Sequence, residues 1–222
     1  MSRVLMPIEI KKMGIIKTGL EHIASPKQVI AFKKEYRQVL ERLAPYKNRP
    51  LYTLRTVHDG TISREAGRFL YGLIRAIKPK TVLETGIYNG FSTVIILSAL
   101  NKNGSGKLYS TDVREGVGQM VKKVDKSRWN KRIGAPSSVL KDVLKEIGRP
   151  DIFVHDSDHS YTNMLYEFSS AYKKMKGKGF ILSDDVDMND AFFDFAKSNN
   201  LRPRVVYSPI KLFGVIDLSE RA

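Results

Sequence analysis

The sequence predicts an α/β protein built on a doubly wound, mostly parallel sheet, closed by an antiparallel hairpin and preceded by an N-terminal helical cap. Three observations predict it. From Thr81 onward, short β-rich runs alternate with segments of helical length and period, the pattern of crossover units between parallel strands. The first of these strands, "TVLET", runs straight into a glycine-bearing turn and then an apolar helix. The tail, "RPRVVYSPIKLFGVIDL", holds two β-rich runs parted by Ser208 and Pro209, which reads as a hairpin.

In chain order, Ser25 and Pro26 open a helix whose apolar residues Val29, Phe32, Tyr36, Val39, Leu40 and Leu43 fall on one face. "APYKNRP" then breaks it. A second helix, "SREAGRFLYGLIRAI", is capped by Ser63 and places Ala66, Phe69, Leu70, Leu73, Ile74 and Ile77 at helical spacing. After "TVLET", the helix "FSTVIILSAL" is apolar nearly all round and so is expected against a sheet. Strand "LYSTDV" follows a turn at "NKNGSGK". A polar helix is expected from Glu115 to Lys126, then a short strand near Arg132 and Ile133, and a helix "SSVLKDVLKEIG". Strand "DIFVHD", a helix from Thr162 to Lys176, strand "FILSDD" and helix "NDAFFDFAKS" complete the alternation before the hairpin. The reading divides the chain into a cap, residues 1–60, and one α/β domain, residues 61–222.

Composition narrows the chemistry. The 222 residues include no cysteine, which excludes disulfides, thiolate zinc sites and a cysteine nucleophile. No apolar run approaches the ~20 residues that cross a bilayer, and "MSRVLMPIEIKK" lacks a signal-peptide core and cleavage site. A cytoplasmic protein without a membrane partner is the expectation. The net charge of +15 suggests RNA as an alternative partner, because lysines and arginines that neutralise phosphate supply most non-specific affinity. Residues 1–60 carry 12 lysines and arginines against 5 acids, and "KKVDKSRWNKR" adds six cations around Trp129. The competing reading of that second run is a solvated helix end with Trp129 packed beneath it.

Parallel sheets bind ligands beyond the carboxyl ends of their strands. The residues ending these strands are Glu84, Asp112, Asp156, Asp184 and Asp185, all acidic. The loop after the first strand reads Glu84-x-Gly86-x-x-x-Gly90, whereas a dinucleotide pyrophosphate calls for G-x-G-x-x-G. A carboxylate there suits a cation. S-adenosylmethionine carries an ammonium, a sulfonium and no phosphate, and is favoured over NAD, which remains the rival. Asp112, 22 residues beyond Gly90 at the end of the next strand, is placed to accept from ribose hydroxyls of either cofactor.

At these residues the chain resembles the class I S-adenosylmethionine-dependent methyltransferases, and within them the metal-dependent O-methyltransferases of the catechol and caffeoyl-CoA type, from about Ser63 to Asp217. "VLETGIYNGFS" is similar to the family's first motif, which implies that Glu84, Gly86, Tyr88, Gly90 and Ser92 surround the methionine end of the cofactor. "STDV" resembles the second motif, with Asp112 on the ribose. "IGAPSSVL" resembles the segment that lines the adenine, pointing to Gly134, Ala135 and Ser137, with Pro136 a departure from the pattern. The resemblance makes Asp156, Asp184 and Asp185 ligands of Mg²⁺ or another divalent cation, and hard cations do take carboxylate oxygens. The alternative is that Asp184 and Asp185 cap the next helix while Asp156 accepts backbone hydrogen bonds.

Methyl transfer needs a nucleophile aligned with the sulfonium carbon and stripped of its proton. His159 follows Asp156 by three residues, where the catechol enzymes carry a basic lysine, so His159 and Asp156 are the candidate catalytic pair, with Asp156 also beside the cofactor. The alternative for "DSDHSY" is a turn in which Asp158 pairs with His159. His155, on the other side of its strand, reads as a core residue.

Three functions remain open on the sequence: an O-methyltransferase acting on a hydroxylated small molecule with a divalent metal, an RNA ribose 2'-O-methyltransferase gripping its substrate through the basic front segment, and a non-catalytic S-adenosylmethionine-binding module. The cap, the loop after Asp156 and the hairpin near Pro209 are expected to form the recognition surface. The apolar face from Val29 to Leu43 either covers the pocket of its own subunit or docks on a partner, a homodimer included.

Overall fold

Among the described residues, eight strands form one sheet because β-rich runs recur at crossover spacing and each crossover helix has an apolar face to bury. The structure, a computed structural model, describes residues 16–43, 61–124 and 126–222. Most of the cap, the break at "APYKNRP" and the basic residues Lys11 and Lys12 lie outside the described residues. Strands β1 (Ile16–Lys17), β2 (Thr81–Thr85), β3 (Lys107–Asp112), β4 (Trp129–Ile133), β5 (Ile152–His155), β6 (Phe180–Ser183), β7 (Leu201–Tyr207) and β8 (Leu212–Arg221) alternate with helices. The helices are α1 (Pro26–Leu43), α2 (Arg64–Ile77), α3 (Phe91–Asn103), α4 (Pro136–Ile147), α5 (Tyr161–Met175) and α6 (Ala191–Ser198).

The order across the sheet is β1-β7-β8-β6-β5-β2-β3-β4. β4, β3, β2, β5 and β6 pair in parallel, while β8 runs antiparallel between β6 and β7. The doubly wound sheet with its closing hairpin is therefore as expected. Two apolar layers flank it. Val82, Val154 and Leu182 pack with α1, α2 and α3 on one face, and Leu83, Phe153 and Ile181 pack with α5 and α6 on the other. Successive strand residues thus face opposite layers, a parity that decides where each site carboxylate points.

The helix boundaries follow from local chemistry. Ser63 Oγ accepts from Ala66 N at 3.1 Å at the start of α2. Ser25 and Gln28 cap α1 reciprocally, Gln28 Oε1 taking Ser25 N at 3.0 Å and Ser25 Oγ taking Gln28 N at 3.4 Å. Helix α3 is buried from Ser92 to Leu100. The polar helix expected at 115–126 is instead a turn with a short 3₁₀ segment, Gln119–Lys123. Gly116 (φ +72°) and Gly118 (φ +83°) adopt left-handed backbone there, which ends any α-helix. Trp129 is not at a helix end but on β4, where its Nε1 donates to Ser110 Oγ at 3.0 Å. Val29, Phe32, Tyr36, Val39 and Leu43 of α1 are buried in the chain's own core.

Candidate active site

The order of the sheet turns at β2, with β3 on one side and β5 on the other, so the loops leaving these strands diverge and open a cleft. A cavity of 460 Å³ fills it, within the ~300–1,000 Å³ of small-molecule pockets. Its walls come from the β2 turn (Thr85, Gly86, Tyr88), the end of β3 (Asp112 to Arg114), the start of α4 and the segment from Asp156 to His159. No described residue of α1 or of the β7–β8 turn lines it.

Gly86 (φ +84°) lets the β2 turn cross the end of β5 in close contact. Tyr88, also left-handed at φ +46°, lines the cavity beneath the Arg114 guanidinium, which stands 5.7 Å from the ring centroid. Glu84 does not line it. Parity directs its side chain toward α3, where the carboxylate accepts from Ser92 Oγ at 2.6 Å, Thr93 Oγ1 at 2.9 Å and Ser110 Oγ at 2.6 Å. Burial pushes its pKa up to about 6 despite these three donors. Glu84, Gly90 and Ser92, expected around the methionine end, thus lie behind the wall and shape the turn from within.

Asp112 faces the cavity. Its Oδ2 accepts from Ile87 N at 2.9 Å and Tyr88 N at 3.0 Å, and its Oδ1 from Arg114 N at 3.0 Å. Burial opposes its charge, but these backbone donors outweigh it and hold the pKa below the usual value. A carboxylate offers about four lone-pair sites, so Oδ1 retains acceptor capacity toward a ligand. Beyond it, Gly134, Pro136 and Val139 form an apolar wall, whereas exposed Ala135 and Ser137 do not line the cavity. Pro136, the residue that departs from the recognised pattern, thus lines the cavity together with Gly134.

Asp156, His159 and Asp185 meet at the other end of the same cavity. His159 Nε2 is 4.0 Å from Asp185 Oδ2 and makes no hydrogen bond among the described residues. Asp158 does not pair with it; both Asp158 oxygens take Ser160, its N at 3.0 Å and its Oγ at 2.9 Å. Burial, and then the neighbouring His155, push the His159 pKa down to about 4. Expected as a base tuned near neutrality, His159 is instead a weakly basic, neutral imidazole. The Asp156 carboxyl moves the other way, raised well above its usual value by burial and by Asp184.

His155 is fully buried as expected, yet it is not a simple packing residue. Its Nδ1 is 2.7 Å from Glu167 Oε2, which also accepts from Thr85 Oγ1 at 2.6 Å, while Ser157 Oγ donates to Oε1 at 2.9 Å. Burial works against the Glu167 charge, but these hydrogen bonds hold its pKa below the usual value.

Residues 83–186 match a family model described as a methyltransferase domain. That match covers a little under half of the chain. The matched stretch runs from inside β2 past the end of β6 and so contains every cavity-lining residue. Solved structures share the fold. An O-methyltransferase from Bacillus cereus in complex with SAH aligns with a TM-score of 0.61 at 16% identity, over 83% of this chain and 90% of that one. The SAH-bound methyltransferase of Podospora anserina gives 0.61 at 16%, over 86% and 88%. An O-methyltransferase of Streptomyces achromogenes involved in tomaymycin synthesis, in complex with SAM, gives 0.60 at 14%, over 84% and 90%. No curated protein matches this chain.

The site departs from expectation at its carboxylates. Asp184 is buried behind the cavity wall, and Lys211 Nζ lies 2.5 Å from its Oδ2 and 3.3 Å from Asp185 Oδ1. Burial opposes the ammonium, but Asp184 and Asp185 keep its pKa above the usual value. Burial also drives Asp184 up to about 7. Among the described residues no group of three or more His, Cys, Asp or Glu side chains is arranged to hold a metal ion. Asp156, Asp184 and Asp185 therefore do not fit a divalent cation as they stand. Such an ion ~4 Å from the ammonium would be repelled by about 8 kcal/mol at an effective dielectric of ~20.

Two site residues escaped the sequence reading. Glu167 occupies a position on the apolar stripe of α5, beside Met164, Phe168 and Ala171, and an acid at a stripe position is a readable signal of a buried partner. Lys211 carries no comparable signal, because its partners lie 26 and 27 residues away.

Proposed function

We propose that this chain is an S-adenosylmethionine-dependent O-methyltransferase acting on a hydroxylated small molecule. The observation that carries the reading is the 460 Å³ cavity, which runs from a hydrogen-bond-anchored carboxylate, Asp112, to the cluster of Asp156, His159 and Asp185, within a matched methyltransferase domain. Its size and its glycine-permitted floor suit a nucleoside-sized donor, with Asp112 toward the ribose, the wall of Gly134, Pro136 and Val139 toward the base, and Gly86 and Tyr88 toward the amino-acid end. When bound, the donor supplies an electrophilic methyl group.

The chain's own part is to orient the acceptor hydroxyl and receive its proton. His159 keeps an unshared ring nitrogen at the cavity, and Asp156 lines the same end of it. Asp156 receives the proton in this reading, and His159 orients the hydroxyl. The volume of the cavity suits a small acceptor beside the donor, so the small-molecule reading is preferred.

Calorimetry with S-adenosylhomocysteine and with NAD tests the cofactor. Saturable binding of the first, lost in Asp112→Ala, is expected; binding of NAD alone overturns the reading. A panel of phenols, hydroxylated small molecules and short RNAs, assayed with labelled donor, then separates the acceptor classes.

A further inference from the structure

We propose that Lys211 is a built-in cation behind the wall of the acceptor pocket: its ammonium takes the place between Asp184 and Asp185 that a metal ion would need, so the site works without one. The proposal rests on the methyltransferase reading and deepens it. Three carboxylates, Asp156, Asp184 and Asp185, converge where β5 and β6 end, and buried like charges need a cation among them. His159 does not supply it. The cation that the structure places there is Lys211, with its side chain 9% exposed and its nitrogen within hydrogen-bonding distance of both Asp184 and Asp185.

The placement is built into the backbone. Ser208, itself buried, donates from Oγ to the Lys211 carbonyl at 2.7 Å and accepts Lys211 N at 3.2 Å, which locks the turn between β7 and β8. The next residue is tied to the loop after β6, since Leu212 N donates to Asp187 Oδ1 at 3.1 Å and Val186 N donates to the Leu212 carbonyl at 3.2 Å. Residue 211 is therefore fixed relative to the strand end that carries Asp184 and Asp185. A surface lysine that folded inward by chance would have no such double anchorage.

The chemical consequence concerns specificity. A divalent ion can bind two acceptor oxygens at once, whereas an ammonium held behind the wall by Asp184 and Asp185 offers the acceptor no coordination position. Acceptors with one hydroxyl should then be used as well as vicinal diols, because chelation offers no advantage.

The test is a Mn²⁺ titration followed by electron paramagnetic resonance, run on the wild-type chain, Lys211→Ala and Lys211→Gln, with thermal melting in the presence and absence of Mn²⁺. The wild-type chain is expected to show no saturable site and no melting shift. The variants are expected to gain one Mn²⁺ site, weakened at least ~10-fold by adding Asp185→Asn, and to melt higher when the ion is present. A saturable wild-type site abolished by Asp185→Asn overturns the proposal, and so do variants that neither bind Mn²⁺ nor are stabilised by it, however poorly they fold. Binding of S-adenosylhomocysteine is measured separately on the wild-type chain, so loss of the cofactor reading is not confused with loss of this one.

Discussion

The carbonyl oxygen of Asp156 lies so close to Gly86 that a Cβ at position 86 would stand 1.8 Å from it. Two strand ends therefore touch backbone to backbone at the floor of the cavity. Gly86→Ala should force them apart and strain the left-handed φ by ~1–2 kcal/mol as well. Affinity for S-adenosylhomocysteine, read by calorimetry, is expected to fall at least ~10-fold while most of the fold survives. Unchanged affinity would show that this contact does not set the shape of the donor site.

Asp112 holds three backbone N–H groups of the β2 and β3 turns. Asp112→Asn replaces one accepting oxygen by a donor, so at least one of those N–H groups loses its partner, at a cost of ~1–3 kcal/mol. Chemical denaturation should register that loss. Because the folded pKa is lowered, the carboxylate contributes stability above its unfolded pKa near ~4, and that contribution disappears as pH falls through the lower folded value. Wild-type stability should therefore drop more steeply below pH ~4 than that of Asp112→Asn.

His159, with its pKa pushed down to about 4, should stay neutral throughout the physiological range. Its folded pKa lies below the unfolded ~6.5, so its neutral form favours folding above ~6.5, and stability is lost as pH falls from there toward 4. An NMR titration should show its ring protons unshifted between pH ~6 and ~8. A midpoint near ~6.5 would refute the burial argument and restore a base tuned near neutrality.

Glu167→Gln removes the charge that Thr85, His155 and Ser157 converge on. Breaking a buried, hydrogen-bonded charge cluster costs about 3 kcal/mol or more. For a chain of this size that corresponds to a fall of roughly 6–12 °C in Tm. Calorimetric melting checks it; a shift below ~2 °C would mean that the cluster is not under electrostatic load.

Much of the fold was legible because the strands from β2 to β6 are short β-rich runs with turn signals at both ends, and period-3.6 stripes mark α1, α2 and α5. The segment 115–126 was misread because its polar residues give no stripe to test, and the two left-handed glycines dominate it. At the site, strand-end acids pointed correctly to the mouth of the sheet. Their individual roles depended on parity and on partners from other elements. Glu84 and Thr85 are adjacent, yet one faces the hydroxyls of α3 and β3 and the other faces Glu167 on α5. No local pattern distinguishes those fates, and none foretells that an ammonium from the β7–β8 turn meets Asp184.

Because β8 lies between β6 and β7, those two strands have no direct pairing, and among the described residues β1 and β7 join the rest of the sheet through β8 alone. During synthesis on the ribosome, everything up to β7 can emerge while the flank of β6 still lacks its neighbour. Residues 212–221 thus act as a keystone inserted late, and until then the open flank of β6 is a template for pairing with other nascent chains.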